Sequence, residues 1–323
     1  PAGFSEDGSF FYSRFTRWFS TGIAPFDLET GMANLEAATP LLGSNRGPRW
    51  SPDGQRMAFV RESELTEGKY GRINVRDLRT GEQMEVATDL QARFMGKWSP
   101  DERSLLVPGD DGRDEPHFWK VDVSSGETTP LVPVPDAYEW WGGWTHGDWS
   151  HDGESLLYSV LNDGTGRSRL VRRDLSSGEE VELYQGSLLF RRPFDLSPDG
   201  AEAAFVFMDS LDAEMPGGIA ILDLETGEAR RLVIFGDSLG EWEVCLQWTP
   251  DGESLLYSEI LGGEEAEQWR TRVSRIRVEG GEPESLWTFA EGKWGGWFEL
   301  SPDGNQVALT TYTQEDEIWV MEG

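Results

Sequence analysis

The side chains best placed to do chemistry are aromatic. The segment EWWGGWTHGDW, Glu139 to Trp149, packs Trp140, Trp141, Trp144 and His146 into one short stretch, and Arg191, Arg192, Trp242, Trp294 and Trp297 occupy comparable places further along. Indoles beside glycines (Gly142, Gly143, Gly295, Gly296) suit loops that expose flat apolar faces, which hold sugars, extended peptides or organic cations. Acidic runs accompany them: Glu62, Glu64 and Glu67; Asp110, Asp111, Asp114 and Glu115; Asp209, Asp212 and Glu214; Glu264, Glu265 and Glu267; Glu315 and Asp316. Aromatic faces ringed by carboxylates favour a positively charged ligand. Packing between strands competes as an explanation for any single Trp, and the clustering is what points to a binding surface.

Catalytic patterns are weaker. GDSLG, Gly236 to Gly240, has the form of a nucleophile elbow, but that device needs a strand-to-helix turn and a later histidine. All three histidines, His117, His146 and His151, precede Ser238, and no helical period follows it. GDDGRDE, Gly109 to Glu115, has carboxylates but lacks the ligand spacing of a calcium loop. The lone Cys245 forbids an internal disulfide and, within Val244-Cys245-Leu246, reads as a small core residue. No catalytic residue, metal site or cofactor is assigned.

The elements that must carry these residues are set by a repeat. WSPDGQRMAFV, from Trp50, returns as FSEDGSFFYS from Phe4, WSPDERSLLV from Trp98, WSHDGESLLYS from Trp149, LSPDGAEAAFVF from Leu196, WTPDGESLLYS from Trp248 and LSPDGNQVALTTY from Leu300. From Ser5 through Ser51, Ser99, Ser150, Ser197, Thr249 and Ser301 the steps are 46, 48, 51, 47, 52 and 52 residues, the size of a propeller blade. Each copy ends one strand, turns on Ser-Pro-Asp-Gly and begins an alternating apolar strand. The seven Asp residues (Asp7, Asp53, Asp101, Asp152, Asp199, Asp251, Asp303) read as turn caps rather than as acids or ligands. A second turn, FDLETGM, RDLRTGE, VDVSSGE, RDLSSGE, LDLETGE or RVEGGE, joins third and fourth strands.

These units predict an all-β fold, a seven-bladed β-propeller of four-stranded antiparallel blades forming a single domain over 1–323. The last unit runs out after IWVMEG, so its blade is expected to be incomplete or closed by a terminal strand. Both recurring turns fall on one end of the blades, leaving the irregular aromatic and acidic loops on the other. That face is the expected site, because function on rigid scaffolds concentrates in variable loops.

Composition narrows the partners. With 59 Asp and Glu against 28 Lys and Arg, the net charge is −31, which repels phosphate backbones and excludes nucleic acid. No apolar run is long enough to insert into a membrane. A peptide, a protein segment or a small cationic ligand is the expected partner. The chain starts at Pro1, so fusion to an upstream domain is also expected.

At WSPDG, DLETGE and the terminal EIWVMEG the chain resembles the TolB-like β-propeller repeats, related in form to WD-type repeats. That resemblance implies a periplasmic or extracellular setting and a binding or sensor role. It equally implies the propeller portion of a prolyl-oligopeptidase-type peptidase or of a bacterial Ser/Thr kinase. A carbohydrate-active enzyme working at the channel mouth is the catalytic alternative.

Overall fold

A computed structural model of the chain describes residues 2–4, 10–41, 43–62, 71–92, 96–112, 117–133, 146–160, 168–186, 189–208, 217–235, 245–261, 270–289 and 294–321. Their strands fall into six blade units. Blade I is Asn45–Trp50, Arg56–Glu62, Gly71–Asp77 and Gln83–Glu85. Blade II opens on the bridge Trp98↔Leu105 and continues through Ser104–Asp110, His117–Asp122 and Thr128–Pro133. Blades III and IV are Gly147–Trp149 to Glu180–Gly186 and Leu189–Leu196 to Ala229–Ile234. Blade V runs from Leu246–Trp248 to Glu284–Thr288.

Blade VI joins the two ends of the chain. Trp294–Leu300 and Gln306–Met321 supply its first two strands and Phe10–Asp27 its third, with Met32–Ala33 and Thr39–Pro40 as outer fragments. The pairing runs without interruption from Phe10↔Met321 to Pro25↔Gln306. The terminal strand that closes the ring is therefore the chain's own N-terminal segment.

This changes the expected blade count from seven to six among the described residues. The copy at Phe4 forms only a short pairing of Ala2–Phe4 with Phe10–Tyr12. The reason is visible in the residues after it. Other units have a polar, Gly- or Glu-rich break between second and third strands, whereas SRFTRWFST, Ser13 to Thr21, offers no turn residue and continues as one strand. For the same reason Glu315 and Asp316, expected at a loop tip, lie within a strand opposite Thr16 and Phe15.

The turn chemistry is as the repeat implies. In blade I the Ser51 hydroxyl donates to Asp53 Oδ1 at 2.6 Å and accepts from Arg56 N–H at 2.9 Å, while Gly54, at φ +70°, donates its N–H to Ser51 O. The same Ser or Thr to Asp bond recurs at 99/101, 150/152, 197/199, 249/251 and 301/303. Leu78 N–H donates to Gln55 O, so both recurring turns do share one end of the blade.

Apolar clusters fill each interface between neighbouring blades. The cluster of Leu41, Trp50, Met57, Phe59 and Ala308 joins blade VI to blade I and completes the ring. Buried indoles tie the blades at the axis: Trp50 Nε1 donates to Glu299 O (3.1 Å), Trp98 Nε1 to Arg49 O (3.0 Å), Trp149 Nε1 to Lys97 O (3.3 Å) and Trp248 Nε1 to Asp195 O (3.0 Å). Each indole reaches back to the residue that precedes the motif of the preceding blade.

Candidate functional site

Those preceding residues form the candidate site. One position before the aromatic or Leu of the six copies from Trp50 onward stand Arg49, Lys97, Asp148, Asp195, Gln247 and Glu299. An inner strand, or in blade II the bridge Trp98↔Leu105, brings each to the axis, and the chain's closure into six blades makes them meet. Lys97 Nζ lies 2.7 Å from Asp195 Oδ1 and 3.9 Å from Asp148 Oδ2, so a blade II cation spans to blade IV past blade III. Arg49 Nη1 lies 3.5 Å from Glu299 Oε2, across the I–VI junction. Asp195 Oδ2 accepts from Trp248 N–H and Gln247 Oε1 from Leu300 N–H, both at 2.8 Å. These contacts thus link the blades to one another at the axis as well as lining the channel.

Above it, on the face of the Ser-Pro-Asp-Gly turns, opens a cavity of about 330 Å³. Its floor is Lys97, Asp148, Asp195, Gln247 and Glu299, and the turn residues Pro52, Pro198, Pro250 and Pro302 contribute to its lining.

The ring's electrostatics follow from burial and crowding. Burial opposes the Lys97 ammonium, but Asp195, Asp148 and Glu299 outweigh it and hold the group well above its ordinary value. Burial raises Asp148 to about 6; Lys97 counteracts this and neighbouring Asp195 adds to it. Glu299 is also raised by burial, against the pull of Arg49 and Lys97. Beside the ring, the Cys245 thiol donates to Phe298 O at 3.2 Å and burial pushes it up to about 11, so it remains a thiol at neutral pH.

Asp148 gives a direct test. Its value in the fold lies above the ordinary 3.8, so the fold favours its protonated form. That contribution is present at low pH and disappears as pH rises from about 4 through about 6. At pH 7.5 the ionised carboxylate costs roughly 3 kcal/mol, at about 1.4 kcal/mol for each pH unit of displacement. Asp148→Asn, which retains an oxygen for the Trp149 N–H (2.8 Å), is therefore expected to raise urea-unfolding stability by about 1–3 kcal/mol at pH 7.5 and to change little below pH 4. A destabilised variant at pH 7.5 would contradict this assignment.

The loop residues singled out by the sequence are placed unevenly. Trp140, Trp141, Trp144 and Trp242 lie outside the described residues. Arg191 and Arg192 fall in an irregularity of the inner strand of blade IV, between Phe190 and Phe194, and Trp294 pairs with Tyr312; only their backbones are described. His146 is half-buried at the head of the inner strand of blade III, and its carbonyl accepts from Ser159 N–H. Trp297 is half-buried and stacks on Phe19, with ring centroids 5.6 Å apart. His146, just before the strand Gly147–Trp149, and Trp297, within the strand Trp294–Leu300, sit two residues before Asp148 and Glu299. The ring itself is absent from the sequence-based site, although a signal exists: a polar residue stands before the hydrophobic one in six successive copies.

No protein-family model matches the chain. The uncharacterized peptidase YuxL of Bacillus subtilis is 26% identical over 218 residues, which cover 66% of this chain and 29% of that protein. The chain thus matches less than a third of that relative's length. Among solved structures, a putative TolB from Agrobacterium tumefaciens aligns with 92% of this chain and 99% of its own, with a TM-score of 0.66 and 20% identity. The β-propeller domain of the Trilobed protease from Pyrococcus furiosus aligns with 100% of this chain and 93% of its own, with a TM-score of 0.53 and 19% identity. The fold is that of TolB-type β-propellers. Among the described residues no helix is long and apolar enough to cross a membrane.

Proposed function

We propose that this propeller recognises a ligand at its axial channel and performs no chemistry on it. The observation that carries this reading is the cavity of about 330 Å³ whose polar floor is held by its own ion pairs between blades. Such a size is at the lower end of small-molecule and side-chain sites, roughly 300–1,000 Å³. Lys97, Asp195, Arg49 and Glu299 are engaged with one another and Cys245 is held as a thiol, so Asp148, raised to about 6, is a lone titrating group rather than half of an acid–base pair. In the same reading Trp140, Trp141, Trp144, His146, Arg191, Arg192, Trp242, Trp294 and Trp297 contribute a second binding surface.

Calorimetric titration of the purified chain with short blocked peptides, followed by mass spectrometry of the recovered peptides, tests the reading. Saturable binding, unchanged peptides, and loss of binding in a folded Pro250→Trp variant that plugs the cavity are expected. A converted peptide, or binding indifferent to Pro250→Trp, would overturn it.

The similarity to YuxL favours a second reading, in which the same channel belongs to the propeller portion of a larger peptidase and admits its substrates.

A further inference from the structure

We propose that the axial cavity receives the cationic tip of a lysine or arginine side chain from a partner segment, and that Asp148 is the carboxylate that takes it. The proposal rests on the channel-binding reading and names the chemistry of the ligand.

The three ring carboxylates are not equivalent. Asp195 is committed on both oxygens, to Lys97 and to the Trp248 N–H, and Glu299 faces Arg49. Asp148 uses Oδ1 for the N–H of its own neighbour Trp149, and among the described residues its nearest cation is Lys97, 3.9 Å from Oδ2. That ammonium sits 2.7 Å from Asp195, so it serves Asp148 only in part. Asp148 nevertheless faces the cavity, with its side chain 13% exposed.

Charge and shape agree with an organic cation. When all five groups are ionised, Asp148, Asp195 and Glu299 exceed Arg49 and Lys97 by one negative charge, on a chain whose net charge is −31. Among the described residues no three acids, histidines or cysteines are grouped to hold a metal ion. The cavity walls include Leu196 and Leu300 together with Pro52, Pro198, Pro250 and Pro302, apolar surface along which a lysine or arginine stem packs while its head reaches the floor. Asp148 also carries a cost: burial and Asp195 oppose its ionisation, and Lys97, shared with Asp195 and Glu299, offsets them only partly. A carboxylate whose ionisation is opposed by burial and by a neighbouring charge, inside a cavity, is a candidate binding position.

The test uses the full chain at pH 7.5 and three blocked hexapeptides of Gly and Ser, bearing one lysine, one arginine or one Nε-acetyl-lysine. A cationic peptide is expected to bind at least about tenfold more tightly than the acetylated one, the size of one charge-assisted hydrogen bond. Discrimination should vanish in Asp148→Asn and weaken in the wild type as pH falls from 7.5 to 5, because Asp148 takes up its proton over that range while Lys97 and Arg49 stay charged. Equal binding of charged and acetylated peptides, or discrimination that persists in Asp148→Asn, would overturn the proposal. Equal binding that Pro250→Trp abolishes would overturn the cation assignment alone. Binding of none of the three would overturn the channel reading with it.

Discussion

Lys97→Met is expected to destabilise the propeller by about 3–5 kcal/mol at pH 7.5, the usual penalty for removing one partner of a buried ion pair. Methionine fills much of the same volume but leaves Asp148, Asp195 and Glu299 facing one another with Arg49 as the remaining ring cation. The wild-type Lys97 is held above its ordinary value, so its contribution is complete throughout the neutral range and is lost only as pH rises beyond about 10. In the variant the deficit should shrink towards pH 5, because the uncompensated carboxylates then accept protons. Urea unfolding at pH 7.5 and pH 5 reads both effects. An unchanged midpoint at pH 7.5 would show that the side chains do not meet at the axis.

Removing residues 1–27 is expected to abolish the monomeric fold. Phe10–Asp27 is the third strand of blade VI, and Phe26 lies buried against Leu286, Trp287, Val307 and Leu309. Phe26 alone, truncated to Ala, should cost about 3–5 kcal/mol, a large part of the roughly 5–15 kcal/mol that holds a domain together. Thr21 adds a buried tie, its hydroxyl donating to Asn45 O at 2.8 Å beside Thr310 at 2.9 Å. A peptide spanning 10–27, added in trans, should restore the circular dichroism spectrum and thermal transition of the intact chain. Had the first repeat been an independent blade, the shortened chain would keep six repeats and fold without help. That outcome would overturn the closure described above.

The repeat made much of the fold legible. Ser-Pro-Asp-Gly and Asp-Leu-x-Thr-Gly are local devices whose hydrogen bonds close within a few residues, so their meaning survives without knowledge of what surrounds them. The closure was not legible in the same way. FSEDGSFFYS looks like its relatives because the turn is local, while its fate depends on pairing with Gln306–Met321 at the other end of the chain. The site was harder still. Arg49, Lys97, Asp148, Asp195, Gln247 and Glu299 are about fifty residues apart and resemble ordinary surface residues until six blades bring them to one axis. The conspicuous tryptophans drew attention to the loops, and the tryptophans of the motif itself proved to be buried ties between blades.

The convergence of separate blades on one charged axis is tested most directly by a double-mutant cycle between Lys97→Met and Asp195→Ala, with unfolding free energies measured at pH 7.5. Lys97 and Asp195 belong to blades that are not neighbours, yet their side chains are in contact at 2.7 Å. A coupling energy of about 1.5–3 kcal/mol is expected, the upper range for directly interacting residues. Additivity within about 0.5 kcal/mol, the behaviour of sites that do not touch, would contradict the axial ring and the channel site built on it.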